Sequence, residues 1–441
     1  MSEAAAESGE GETAPVRART ALPSAVGFVL TIAVVWLGGQ YLTQGVSDEL
    51  VASRPALAVL WRGDSADALA ALAHKDLGRN SGGAVRLSLK ALQHAPLDTL
   101  ALTTYGLAEA RLGHRALADR AIALSGSRGW RDVLTQIWLF RSLLMQARLD
   151  AAFRHADALM RREDVNPPVL YRILAVAARD PPALDPLAAR LAADPSWRQP
   201  FFASLATDPS PLSLGVYRAL LERLAKGPTP PTSGEVGLYL SRLVSEQDYA
   251  AAERDWRLFS PERGEAAQGV AVHDGDFAVD PGSTPFDWSL RDGVGWSPTI
   301  DSAPAEGGRR ALRMEYDGVS MPQPLRQLVV LAPGRWRLTG RSYDQGGAGA
   351  QLFKWRVTCA NDPSQVLADA PTPVGAPNAW RSFAADLVVP RSGCPAQWLQ
   401  LEGEPGDIRL DAVVWFDDLA LAPVANMSTA AQRDAQGPGP S

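Results

Sequence analysis

The sequence is poor in the residues and motifs that most often carry catalysis. Its 441 residues include two cysteines and five histidines, and no two histidines are spaced four apart. It has no H-E-x-x-H, G-x-S-x-G, phosphate-loop or dinucleotide-binding motif, each of which sets reactive groups at a fixed spacing. No carboxylate pair stands out as a glycosidase pair would. We therefore expect a protein that binds and is not an enzyme.

An excess of positive charge is also missing. The chain has 43 Lys and Arg against 49 Asp and Glu, a formal net charge of -6. Proteins that bind nucleic acid use clustered Lys and Arg against the phosphates. We therefore expect no nucleic-acid partner.

One long uncharged run is present, at residues 22–42. Twenty-one residues rising about 1.5 Å each are enough to cross a hydrocarbon core of roughly 30 Å. The sequence therefore predicts a single N-terminal transmembrane helix over 21–44, after a short disordered tail at 1–20. A cleaved signal peptide and a buried soluble helix are the alternatives, but no A-x-A site closes the run.

The charges flanking this run predict its orientation. Arg17 and Arg19 precede it, whereas Asp48 and Glu49 follow it. Basic residues favour the cytoplasmic side, which leaves the chain after Gly45 outside. We expect a single-pass protein of the bacterial inner membrane with its bulk in the periplasm.

A repeat of 34 residues marks the first half of the chain. Ala84, Ala118 and Ala152 are spaced by this period, and the clearest unit, 103–124, also has Gly106 and Gly113. Small residues are needed where two helices of one unit pack closely. The stretch from about 65 to 162 resembles tetratricopeptide repeats.

That resemblance implies an α-solenoid, which we extend in degenerate form to residues 50–262. Stacked helical repeats usually present a concave surface to a protein partner. The expected partners are proteins of the cell envelope.

After Pro261 the helical period is replaced by alternation of apolar and polar residues. RWRLTGRSY sets Trp336, Leu338 and Gly340 against arginines and a threonine, and QLFKWRV alternates in the same way. Seven such segments, separated by turns, predict an antiparallel β-sandwich. The expected fold class is thus α + β and multidomain.

Three segments resemble the jelly-roll carbohydrate-binding modules. They are HDGDFAVDPGSTPFDWSL, LVVLAPGRWRLTGRSY and VVWFDDLAL, similar to the opening strand and loop, the central hairpin and the closing strand of such modules. The resemblance implies a jelly roll over 264–424, with a polysaccharide as its ligand. Residues 425–441 are expected to form a disordered tail.

Both cysteines, Cys359 and Cys394, lie in the sheet-rich half. An even count in a chain expected to face an oxidising compartment indicates one disulfide. Two buried free thiols are the alternative.

The resemblance also raises a structural Ca²⁺ site, because related modules often hold calcium near the ends of the first and last strands. Asp276, Asp417 and Asp418 are the candidate ligands, since hard oxygen donors suit this ion. Solvated turn carboxylates are the alternative, and no other cofactor is expected.

Trp288 and Trp296 are the candidate glycan-binding residues. Each lies among Pro, Gly, Asp and Ser in a loop-like stretch. Sugar rings pack their C–H faces on flat aromatic rings. The alternative is that both rings fold back and plug one end of the sandwich.

Together these features favour a membrane-anchored accessory factor in the synthesis, export or attachment of a surface polysaccharide. The alternative is a non-catalytic scaffold of an envelope complex in which the sandwich is purely structural.

We predict that residues 45–441 lie outside the cytoplasm, because the basic residues precede the uncharged run. Alkaline phosphatase fused after Gly45 should be active, and a reporter that works only in the cytoplasm should be inactive at the same position. The reverse pattern would contradict the topology.

Overall fold

The computed structural model describes residue 36 and residues 43–162, 167–260, 271–305, 307–347 and 349–424. The expected tails at 1–20 and 425–441, and nearly all of the expected membrane segment 21–44, lie outside these ranges. No helix within them is both long and apolar enough to cross a membrane. The chain forms two compact units, one up to residue 146 and one from residue 147. This division falls inside the helical domain expected at 50–262.

The first unit is helical, and its helices pack against their neighbours in sequence. Their bounds are α1 Pro55–Trp61, α2 Ala66–Asp76, α3 Ser81–His94, α4 Thr99–Arg111, α5 Arg115–Arg128 and α6 Val133–Met145. A Cβ atom on Gly106 would lie 2.6 Å from Cγ1 of Ile122 and 3.1 Å from the carbonyl oxygen of Ala118. The small residue therefore allows α4 and α5 to approach closely, as the repeat pattern predicts.

In the residues that the structure describes, the second unit begins with seven helices. Their bounds are α7 Leu149–Met160, α8 Pro167–Ala177, α9 Pro181–Ala192, α10 Arg198–Thr207, α11 Pro211–Ala225, α12 Ser233–Ser245 and α13 Tyr249–Phe259. Helices two apart in sequence are in contact along the whole series, from α7 with α9 to α11 with α13. Stacking of this kind is the arrangement of an α-solenoid. Assignment to the tetratricopeptide family stays a prediction.

The described residues from 271 onward contain a two-sheet antiparallel sandwich. Its strands are β1 Trp296–Ser302, β2 Arg310–Tyr316, β3 Leu325–Val329, β4 Gly334–Gln345, β5 Phe353–Cys359, β6 Val366–Pro371, β7 Trp380–Val389, β8 Gln397–Gly403 and β9 Ala412–Pro423. One sheet has the order β1-β2-β9-β4-β7 and the other β3-β8-β5-β6. This alternation of strands between two sheets is that of a jelly roll, so the predicted fold of this half is confirmed.

The predicted disulfide is also confirmed. Cys359 at the end of β5 is bonded to Cys394 in the β7–β8 loop, with 5.2 Å between the Cα atoms. Both residues are buried. By shortening the loops available to the unfolded chain, the bond contributes on the order of 2–4 kcal/mol to stability.

The last two helices pack directly against the start of the sandwich. A Cβ atom on Gly237 of α12 would lie 2.2 Å from the carbonyl oxygen of Ser283. The amide of Ser283 donates to Oγ of Ser233 at 2.9 Å. One helix further, the Trp256 ring stacks on Phe286 with centroids 4.9 Å apart. The segment before β1 is thus fixed on the helices by a close backbone approach and an aromatic stack.

We predict that Gly237→Ala destabilises the protein, because its methyl group would overlap a backbone oxygen that has little room to move. Overpacking of this kind costs about 1–3 kcal/mol. The thermal midpoint of the whole chain, followed by circular dichroism, should fall.

Gly215→Ala is the matched control, since Gly215 lies in α11 of the same unit with no atom within 4 Å of its added methyl. Removing a glycine from an exposed helix position should raise stability by roughly 0.5–1 kcal/mol. Equal shifts of the midpoint in the two variants would show that the approach at Gly237 is not tight.

Candidate functional site

The two tryptophans expected to be exposed are buried instead. Trp288 and Trp296 are each 2% exposed and belong to the main sandwich core. Nε1 of Trp288 donates to the carbonyl oxygen of Asp274 at 2.9 Å. The ring of Trp296 packs edge-on against Tyr316 with centroids 5.6 Å apart. The prediction of exposed rings is wrong, and the alternative, that they plug the sandwich, describes their positions.

The carboxylates considered for calcium are engaged by arginines. Asp417 is fully buried, and its Oδ2 lies 2.7 Å from Nη2 of Arg341 and 3.3 Å from Nη2 of Arg309. Asp418 is paired with the same two arginines, at 2.6 Å and 2.9 Å. Asp276 is exposed. Two guanidinium groups on the same carboxylates oppose binding of a cation such as Ca²⁺ at Asp417 and Asp418.

The pKa of Asp417 is raised above its ordinary value. Desolvation by burial raises the pKa of Asp417, whereas the amide of Asp418 and the guanidinium of Arg341 lower it. No group of three or more His, Cys, Asp or Glu suited to a metal occurs in the ranges that the structure describes.

The register of the five-stranded sheet brings three aromatic residues side by side on its outer face. Tyr343 of β4 is opposite Trp415 of β9 on one side and Trp380 of β7 on the other. The rings of Tyr343 and Trp380 have centroids 5.7 Å apart at an interplanar angle of 52°. Directly opposite residues share a face of a sheet. We call Trp415, Tyr343 and Trp380 the aromatic row.

The row is closed at one end and accessible at the other. Trp415 is 5% exposed and packs with Ala303 and Ala311 in a cluster separate from the main core. Tyr343 and Trp380 are only partly buried. The exposed part of the row is therefore the pair on β4 and β7.

Each ring of this pair makes a polar contact. Nε1 of Trp380 donates to the carbonyl oxygen of Pro304 at 3.0 Å. The hydroxyl of Tyr343 lies 3.5 Å from Oδ1 of Asn378. The hydrogen bond of Trp380 orients that ring before any ligand arrives, which lowers the entropic cost of binding, whereas the Tyr343 contact is long and weak.

Arginine side chains cover parts of the row. Cζ of Arg341 lies 4.7 Å from the centroid of Trp380, and Cζ of Arg313 lies 5.8 Å from that of Trp415. The charge of Arg341 is balanced by Asp417 and Asp418. Arg313 is paired with Glu315 of the same strand. The row is thus flanked by donors and acceptors whose charges largely cancel.

A cavity of about 410 Å³ lies beside the row, at the end of β1, β2 and β9. Ser297, Glu315 and Val413 line it and are directly opposite one another on β1, β2 and β9. They lie on the same outer face as the row, because Val413 is two residues before Trp415 on β9. Asp317 and Asp411 complete its acidic side. The outer face thus combines flat aromatic surface with a polar recess.

The outer face of the four-stranded sheet differs in character. Arg356 of β5 pairs with Asp369 and Glu402, and Lys354 pairs with Glu404. These contacts join strands of the sheet to one another. Of the two faces, the five-stranded one is better suited to binding a ring-shaped, uncharged ligand.

Sequence reasoning missed Tyr343 and Trp380, although β4 carried a usable signal. The alternation in RWRLTGRSY sets Trp336, Leu338 and Gly340 in one phase. The arginines and the threonine of this segment occupy the alternate positions, and Tyr343, two residues after Arg341, continues that series. An aromatic residue in the phase of the arginines is the sign of an aromatic group on the outer face.

Comparisons with known proteins give structural similarity only. No protein-family profile matches the chain, and no curated protein matches it by sequence.

Several solved structures match about a third of the chain. One titled "CBM4 structure and function" matches 35% of this chain and 99% of its own at 12% identity, with a TM-score of 0.28. The CBM22-1–GH10 modules of a Clostridium thermocellum endo-1,4-β-D-xylanase match 34% of this chain and 28% of their own at 15% identity, with a TM-score of 0.26. The CBM22-1 xylan-binding domain from Paenibacillus barcinonensis matches 31% of this chain and 87% of its own at 16% identity, with a TM-score of 0.22.

Proposed function

We propose that this chain is a membrane-anchored, extracytoplasmic glycan-binding protein that assists the handling of a surface polysaccharide and catalyses no reaction. The observation that carries the binding role is the pair of partly exposed rings, Tyr343 and Trp380, side by side on the five-stranded face. The glycan-binding residues of the proposal are thus this pair, in place of Trp288 and Trp296.

Exposed aromatic surface needs a reason, because burying it elsewhere would be favourable. Rings of this size gain on the order of 1.5–3 kcal/mol when fully buried. The chain buries Trp288, Trp296 and Trp355 completely, so it has the means to sequester large rings. Leaving Tyr343 and Trp380 partly exposed on a sheet supports their use as a platform for the C–H face of a sugar.

Hydrogen-bonding groups lie around this platform at the reach of sugar hydroxyls. Gln345 follows Tyr343 on the same face of β4, and Asn378 approaches the Tyr343 hydroxyl. Glu315 lines the adjoining cavity. These neutral and compensated groups suit an uncharged glycan chain that runs along the sheet face.

The membrane location and the protein partners in this proposal are inferred from the sequence. The uncharged run 22–42 supports the anchor, and the stacked helices support a surface for envelope proteins. A structural scaffold remains the competing function, in which the sandwich binds no glycan.

We predict that the whole purified chain binds at least one uncharged glycan and that Tyr343→Ala weakens this binding about tenfold. Losing one stacking ring removes roughly 1–1.5 kcal/mol. A glycan array should identify the ligand, and isothermal titration calorimetry should give the two dissociation constants.

Trp398→Ala is the matched control, because Trp398 is also partly buried and lies on the other sheet, beneath Arg326. It should leave the affinity for the uncharged glycan unchanged. Absence of binding to every arrayed glycan would favour the scaffold. Equal losses in both variants would place the site elsewhere.

A further inference from the structure

A second, larger cavity lies where α12 meets the sandwich. Its volume is about 630 Å³, within the range of small-ligand sites. Ser241 of α12 forms one side, the segment 281–291 forms another, and Arg326 and Trp398 form the floor on β3 and β8. It is separate from the aromatic row, which lies on the other sheet.

The walls of this cavity are fixed by hydrogen bonds. The amide of Arg326 donates to Oγ of Ser289 at 3.0 Å, and the amide of Ser289 donates to the carbonyl oxygen of Arg326 at 3.1 Å. The amide of Leu328 donates to the carbonyl oxygen of Pro285 at 2.8 Å. The segment 281–291 is thus bound along β3, and the cavity is a built feature of the fold.

Two arginines face the cavity without a carboxylate partner. Arg291 and Arg326 form no ion pair with any residue in the part of the chain that the structure describes, unlike Arg341 or Arg356. Cζ of Arg326 lies 4.2 Å above the ring centroid of Trp398. Burial lowers the pKa of Arg326, and the nearby charge of Arg291 lowers it further.

The acid that lines the cavity does not offset this charge at the surface. Asp287 is 2% exposed, and its Oδ2 accepts hydrogen bonds from the amide and the hydroxyl of Thr284, at 2.9 Å and 2.7 Å. The exposed part of the site is therefore positive. Both arginine side chains are exposed, so solvent moderates their repulsion, and an anion placed between them would still be attracted by both charges.

We propose that this cavity binds an anionic saccharide, whose carboxylate or phosphate lies between Arg291 and Arg326. Guanidinium groups bind both oxyanions with paired hydrogen bonds. The remaining lining suits a sugar ring, because it combines the hydroxyls of Ser241, Ser283 and Ser289 with apolar Pro and Leu side chains. The volume exceeds the need of a bare inorganic ion.

This inference does not depend on the aromatic row, since it concerns a different surface and a charged ligand. A uronate and a sugar phosphate share the chemistry that the arginines recognise. Direct titration distinguishes the two sources.

The test is calorimetric titration of the whole chain with a glucuronate-containing disaccharide, glucose 6-phosphate, inorganic phosphate and an uncharged disaccharide. We expect at least one anionic saccharide to bind more tightly than phosphate and the uncharged disaccharide. Arg326→Gln should weaken that binding at least tenfold, because it removes a charged, hydrogen-bonded contact. Raising the salt concentration should weaken it as well.

Arg335→Gln is the charge-matched control, since Arg335 is exposed on β4 of the other sheet. It should leave the affinity unchanged, as should Tyr343→Ala. Arg291→Gln should remove the rise in thermal midpoint that the ligand causes in the native chain, without lowering the midpoint of the ligand-free protein.

Several results would overturn the proposal. They are no binding of either anionic saccharide, binding of inorganic phosphate as tight as that of the saccharides, and equal affinity in Arg326→Gln. Loss of anionic binding in Tyr343→Ala would also overturn it, and would move the ligand to the aromatic row.

Discussion

The close approach of Gly237 to the carbonyl oxygen of Ser283 is the constraint on which the position of the segment 281–291 depends. Only a residue without Cβ lets α12 lie against this backbone, 2.2 Å from where a methyl would be. The same segment then continues into the core through Trp288 and reaches the cavity through Arg291. Because the segment is also hydrogen-bonded to β3, one contact with a helix sets the shape of a site built mainly from sheet and loop. The buried pair of Arg198 with Glu235 strengthens this, since Glu235 also closes the capping box at the start of α12.

Most of the order of elements could be predicted from the sequence, but two of the strands at sheet edges could not. The seven alternating segments correspond to strands in the structure, whereas β1 and β6 were not expected. β1 contains Pro298 and β6 ends at Pro371. Each lies at the edge of its sheet, where a residue without an N–H is tolerated. Proline therefore conceals both strands in the sequence, and the Pro, Gly, Asp and Ser around Trp296, the first residue of β1, wrongly predict a loop with an exposed ring.

The aromatic row is hard to predict from the sequence for a related reason. A residue such as Trp415 can be buried on the outer face of a sheet without belonging to the core between the two sheets. In the run VVWF, Val414 and Phe416 point into the sandwich, while Val413 and Trp415 lie on the outer face. A continuous apolar run predicts burial on both faces but does not say what covers the outer one. Here Ala303, just after β1, packs with Trp415, and the carbonyl oxygen of Pro304 accepts a hydrogen bond from Trp380. How much of the Tyr343 and Trp380 rings stays exposed depends on these long-range contacts, which no local pattern encodes.

In both proposed sites an arginine lies over a tryptophan ring, but the arginine's charge is balanced in one site and not in the other. This difference in net charge determines the ligand that each site can hold. Arg341 lies over Trp380, and Arg326 lies over Trp398, at 4.7 Å and 4.2 Å. The buried Asp417 and the exposed Asp418 compensate Arg341, so its charge is already balanced and an added anion would meet repulsion from Asp418. Arg326 has a second arginine beside it instead. An aromatic ring under a balanced arginine favours an uncharged sugar, whereas one under an unbalanced pair favours a sugar that brings its own negative charge.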